Sequence, residues 1–147
     1  MTIQSTRRGF MLVTLAAAAL LGGCAGMELG QKRERVVIQV SDGDPKVWNL
    51  ALNVVGNVKA TYAKQGVKPE IEVVAFGPGI QMLKDDAVVA TRMREAMQGG
   101  TQMVACENSM ERFKLKREVM LDKVSYVDAG VVHIIERQHQ GWSVIRP

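Results

Sequence analysis

The sequence is poor in the residues that build nucleic-acid and metal sites. Aromatic residues make up 5% of the 147 positions, too few for the stacking platforms that hold single strands. The formal charge is +4, but basic residues are interspersed with acids rather than clustered, so no basic groove for a nucleic acid is expected. There are two histidines and two cysteines, none paired at the spacing of a zinc site, so neither a metal nor another cofactor is expected. The longest apolar run, Phe10 to Leu21, falls short of the roughly 20 residues of a membrane span. A chain that is 47% hydrophobic and 23% charged is not disordered, and it fits one domain with a modest core.

What is present begins with the layout of an export signal. Arg7-Arg8 precedes the apolar run, and the small residues Gly22-Gly23-Cys24-Ala25-Gly26 follow it, which is the three-part pattern of a secretory signal. Thr6-Arg7-Arg8-Gly9-Phe10-Met11 resembles the twin-arginine motif. Leu21-Gly22-Gly23-Cys24 resembles a bacterial lipobox, in which the cysteine is lipidated and becomes the mature N-terminus. The alternative is an ordinary signal in which Cys24 is removed with the rest. We therefore expect residues 1–23 to be a signal peptide, 24–34 a tether and 35–147 the folded domain. The domain is then exported to the periplasm, with lipidated Cys24 as a membrane anchor. On either reading Cys106 keeps no internal disulfide partner, and an unpaired thiol in an oxidising compartment calls for burial or for a use.

Along the mature chain, Val36-Val37-Ile38-Gln39-Val40 reads as a strand, and Asp44-Pro45 supplies an N-cap and first helical position. Val47, Leu50, Ala51, Val54, Val55, Val58 and Tyr62 give that helix an apolar face, Asn49, Asn53 and Asn57 a polar stripe, and Gly66 its end. Ile71 to Phe76 is a second strand, closed by Gly77-Pro78-Gly79. The third glycine of a phosphate loop is missing and Pro78 has no N–H to offer. The expectation is a tight turn that passes close to the Cys106 turn. A helix from Ala87 through Met97, closed by Gly99-Gly100, leads to a strand ending at Cys106. Asn108-Ser109-Met110-Glu111 is close to a capping box, which predicts a helix starting beyond the thiol with Asn108 as its cap. Arg112 to Lys123 reads as a short surface helix and connection, and Val124 to Val127 as a fourth strand. Asp128-Ala129-Gly130 turns into a helix with Val131, Ile134 and Ile135 inward and Glu136, Arg137 and Gln138 outward. Trp142 to Ile145 is a last strand. Strand and helix alternate, so the fold class is α/β, with a mainly parallel sheet of about five strands between helical layers.

In a parallel sheet the carboxyl ends of the strands share one rim, where reactive groups collect. The turns at Ser41 to Asp44, Gly77 to Gly79, Cys106 to Ser109 and Asp128 to Gly130 belong to it. Cys106 is the strong nucleophile there, and Asp42, Gly77, Gly79, Asn108, Ser109 and Gly130 are its candidate supports. A helix start beside the sulfur favours the thiolate, while Glu107 opposes it. A cysteine hydrolase needs an imidazole within reach of the sulfur. His133, near the start of the last helix, is the candidate for that, whereas His139 near its end suits the terminal carbonyls. The plainer alternative makes Cys106 a small core hydrophobe, as the nine methionines read as core filler.

Several stretches, in order and spacing, carry a family resemblance. They are Ala51-Leu52-Asn53 with Asn57, Ile71-Glu72-Val73-Val74 leading to Gly77-Pro78-Gly79, Val104-Ala105-Cys106 with Asn108-Ser109-Met110, Gly130, and Gly141-Trp142-Ser143-Val144-Ile145-Arg146-Pro147. From Val36 onward the chain resembles the DsrE/DsrF-like family of small sulfur-relay proteins. The resemblance implies a three-layer α/β/α sandwich, assembly into homotrimers or hexamers, and a cysteine that accepts sulfur as a persulfide from a donor protein and passes it to an acceptor. That role maps onto Cys106. Two features depart from the family pattern: the export signal, and Phe76 where a histidine often precedes the Gly-Pro-Gly turn. The resulting expectation is an exported sulfur-binding or sulfur-transfer protein. The alternative is a non-catalytic oligomeric binding module with a buried structural cysteine.

Overall fold

The computed structural model describes residues 33–147. The signal, Cys24 and most of the tether lie outside the described residues. Five strands form one sheet: β1 (Arg35–Val40), β2 (Glu70–Ala75), β3 (Gln102–Cys106), β4 (Ser125–Val127) and β5 (Ser143–Ile145). Their order across the sheet is β4-β3-β2-β1-β5, and every pairing is parallel. The helices α1 (Pro45–Ala63), α2 (Ala90–Gln98), α3 (Glu107–Arg112) and α4 (Gly130–His139) make the connections, with 3-10 turns at Gly77–Leu83 and Arg117–Val119.

Alternate strand residues feed two unequal cores, as the pleat requires. Val36, Ile38, Val40, Ile71, Val73, Ala75, Met103 and Ala105 meet α1, α2 and the first 3-10 turn through Trp48, Leu52, Val55, Ile80, Leu83 and Met93. On the opposite face Val37, Val74 and Val104 meet Ile134 of α4 and Trp142. The layers are therefore α/β/α, with the second helical layer thin. Because β4 and β5 are opposite edges, α4 carries the chain across this thin face, and its first residue follows directly on the rim.

Asp44 caps α1 by accepting from the Lys46 amide at 2.8 Å, with Pro45 as the first helical residue. Several sequence expectations are corrected. Leu50 is exposed, and Trp48 is buried in its place because its indole N–H donates to the Asp42 carbonyl at 2.7 Å. The Gly-Pro-Gly segment opens a 3-10 turn that continues to Leu83, and α2 starts at Ala90 rather than Ala87. The stretch from Arg112 to Lys123 holds a 3-10 turn, with Met120 and Leu121 buried, rather than a surface helix. The helix after the thiol begins at Glu107, so Cys106 itself is the N-cap and no capping box forms. The Asn108 amide is instead taken by the Asp128 carbonyl, 3.1 Å away. In α4, Val131 and Ile135 face outward while Arg137 turns inward.

Candidate thiol site

The register fixes which residues surround the sulfur. Val74 pairs with Val104 and Ala75 with Ala105, so Phe76 and Cys106 are the next pair along and point to the face that α4 covers. Cys106 also pairs with Val127 of β4. The chain then turns through Asp128 and Ala129 into α4, which brings Gly130 over the thiol. A Cβ on Gly130 would lie 3.2 Å from the Cβ atoms of both Cys106 and Phe76. Glycine therefore lets the start of α4 approach closer than other residues would.

Cys106 is a free thiol, 4% exposed. When protonated it donates to the Asp128 carbonyl at 3.7 Å. Burial pushes the thiol up, but the polar groups around it, the Ser109 hydroxyl and the backbone at Gly130, Ser109 and Asn108, more than offset it. The thiol therefore titrates below its ordinary range. Glu107 does not act on the sulfur as expected, because its carboxylate pairs with Arg117, whose guanidinium stacks on Tyr126 at 4.2 Å.

The predicted supports do not all gather at the thiol. Gly130 packs on Cys106, and Ser109 and the backbone at Asn108 are among the groups that lower the thiol. Gly77 acts at one remove: its amide donates to the Ser109 Oγ at 2.8 Å, leaving the hydroxyl proton free to point at Cys106. The expected close passage of the glycine turn is thereby present. Gly79 is packed on the end of β1, where a Cβ would come within 2.3 Å of the Val40 carbonyl oxygen, so it shapes the rim without touching the thiol. Asp42 uses its carboxylate on the Asp44 amide at 2.8 Å and belongs to the α1 start. Beside the β4–α4 turn lies a cleft of about 450 Å³ lined by Val127, Asp128, Ala129, Val132, His133 and Glu136.

His133 is not a partner of the thiol. Its Nε2 lies 2.8 Å from Oε2 of Glu72, a carboxylate buried mid-sheet on β2. Arg137 clasps the same carboxylate with two bonds, Nε to Oε2 at 3.0 Å and Nη2 to Oε1 at 2.7 Å. This buried group was missed in the sequence. The signal for it was an acid inside the apolar run Ile71-Glu72-Val73-Val74 of a parallel strand, a place that ordinarily holds only apolar side chains. Among the described residues no group of three or more histidine, cysteine or acidic side chains is arranged to hold a metal ion. No helix among them is long and apolar enough to cross a membrane.

The structure is thus a parallel α/β domain with a free thiol at a strand end and with His133 engaged by Glu72 rather than by that thiol. The model of the DsrE/DsrF-like family matches residues 5–147, and the chain belongs to that family. Among solved structures, a protein of unknown function from Methanobacterium thermoautotrophicum is similar at 31% identity and a TM-score of 0.73, covering 78% of this chain and 99% of that one. A conserved protein of unknown function from Bacteroides thetaiotaomicron shares the fold at 18% identity and a TM-score of 0.61, over 78% of this chain and 95% of that one. A search of curated proteins found no match.

Proposed function

We propose that the protein is an exported sulfur carrier in which Cys106 holds a persulfide. The observation that carries this reading is the placement of Cys106 at a strand end, directly before the start of α3 and with Gly130 of α4 packed on it, where the surrounding polar groups lower the thiol in spite of its burial. A merely structural cysteine has no need of groups that favour its anion, whereas an acceptor of sulfane sulfur does, because the thiolate is the nucleophile. In the step itself the Cys106 thiolate attacks the terminal sulfur of a donor persulfide R–S–SH. A new S–S bond forms, the donor S–S bond breaks, and the donor leaves as the thiolate RS⁻. No net oxidation occurs, and the same polar groups stabilise the anionic persulfide on Cys106. The cleft bounded by Asp128 is the route for a donor's terminal sulfur.

Export by the twin-arginine pathway to the periplasm and lipid attachment at Cys24 belong to this proposal, supported by the pattern of residues 6–24. So does assembly into homotrimers or hexamers. Val131, Val132 and Ile135 stand out from α4 at 53%, 51% and 48% exposure, an apolar strip of the kind that marks a protein contact. The donor and acceptor of sulfur would be further proteins that dock at the rim.

Incubation of the full chain carrying Cys24→Ser, which leaves Cys106 as its one thiol, with a sulfane-sulfur donor, followed by intact-mass measurement, tests the reading. The expected product is a single reductant-labile sulfur on that chain and none when Cys106→Ser is added. An unmodified Cys106 chain, or the same adduct on the variant, would refute it. A second reading, a binding module with a structural cysteine, is favoured by the 4% exposure of Cys106. On that reading a small thiol reagent modifies the protein only after unfolding; on the first it does so in the native state.

A further inference from the structure

Helix α4 is poorly secured by apolar packing. Ile134 is its only buried apolar side chain larger than glycine, while Val131, Val132 and Ile135 are about half exposed. Yet its first residue packs directly on Cys106, where a Cβ on Gly130 would come within 3.2 Å of the cysteine Cβ. What fixes the helix instead is Glu72, 2% exposed, which is gripped by His133 and Arg137 from successive turns of α4. We propose that Glu72, His133 and Arg137 are positioning residues for the thiol site, a buried clamp that sets the height and rotation of α4 and so keeps Gly130 packed on Cys106.

The geometry supports this in three ways. First, Gly130, His133, Ile134 and Arg137 recur at three- and four-residue spacing and share the sheet-facing side of α4. Glu72 on β2 and Phe76, the residue directly after that strand, are four positions apart, and Phe76 abuts Gly130. Clamp and thiol are thus the two ends of one helix laid over the same strands. Second, the Arg137 grip is bidentate, which restricts direction as well as distance. The guanidinium is itself held by the Trp142 ring at 4.9 Å and by the Gln140 side-chain carbonyl at 2.9 Å. Third, the contact at Gly130 is already at 3.2 Å for a notional Cβ, so a small slide of α4 would move the helix start off the thiol or drive it into Phe76.

This inference rests on the functional reading above, since a positioned helix start matters only if the thiolate is used. The test is the ultraviolet titration of the Cys106 thiolate in the native full chain carrying Cys24→Ser, paired with the rate of alkylation by a small reagent at neutral pH. The variants are Glu72→Gln, which keeps the shape and loses the charge, and Arg137→Lys, which keeps the charge and loses the fork. Each is expected to fold by circular dichroism, to titrate at higher pH than wild type, and to alkylate several-fold more slowly, with Gly130→Ala as the positive control. A folded variant of either kind with wild-type midpoint and rate would overturn the clamp. Should one variant fail to fold, the other decides. Failure of wild type to take up sulfur would remove the carrier reading and leave the titration result standing, so the two failures are distinguishable.

Discussion

At the scale of single residues, the site is a competition between burial and hydrogen bonding at one sulfur. Burial disfavours the thiolate, and the polar groups around it favour it more, so deprotonation moves to lower pH. The alkylation rate of native Cys106 should therefore rise with pH and reach its half-maximum below the ordinary thiol range. Replacing Ser109 by alanine removes one donor and leaves the burial, so the half-maximum in Ser109→Ala should shift upward; an unmoved profile would show that the hydroxyl does not act on the sulfur. The neighbouring glycines make a second comparison. Gly77 has φ +52° and an alanine Cβ there meets only ordinary contacts, whereas at Gly79 the Cβ would overlap the Val40 carbonyl. Urea denaturation should find Gly77→Ala weaker by about 1–2 kcal/mol, the cost of a left-handed residue. Gly79→Ala should lose more than that, because one backbone must move off another.

At the scale of elements, what the sequence made legible was local, and what it hid was decided by partners far along the chain. The runs Val36–Val40 and Ile71–Ala75 announce buried strands without help from elsewhere, and Asp44-Pro45 announces a helix start. The Cys106 turn, the shared rim and the Ser109 and Gly130 supports followed from those strands. The orientation of α4 did not, because its hydrophobic pattern alone places Val131 and Ile135 inward. Glu72, 61 residues before His133 and 65 before Arg137, overrides that pattern by demanding polar partners, since a buried carboxylate left unpaired is costly. The start of α3 was misplaced for a similar reason: the Asn108 amide goes to Asp128, 20 positions on, and not to a local cap. Arg137→Ala removes two of the three bonds to the buried Glu72 carboxylate, leaving His133, and should cost about 1–3 kcal/mol in chemical denaturation. A loss under 1 kcal/mol would mean that water replaces the guanidinium.

At the scale of the whole molecule, the two faces of the sheet divide the work. The thick face, under α1 and α2, carries most of the core, while the thin face carries the thiol, the clamp and an apolar strip open to solvent. Self-association through that strip would cover α4 beside the rim. Light scattering should find the domain oligomeric, and a Val132→Lys, Ile135→Lys double variant should be monomeric with its fold intact; an unchanged mass would place the contact elsewhere. The central claim concerns Cys106 and is tested most directly by comparing sulfur uptake in the native and unfolded states. Wild-type protein is treated with a sulfane-sulfur donor at neutral pH, with and without denaturant, and the persulfide at Cys106 is followed by mass spectrometry. The account predicts that the folded protein takes up sulfur faster than the unfolded chain, because folding assembles the polar groups that ionise the thiol. Uptake only after unfolding would contradict it and make Cys106 a buried structural residue.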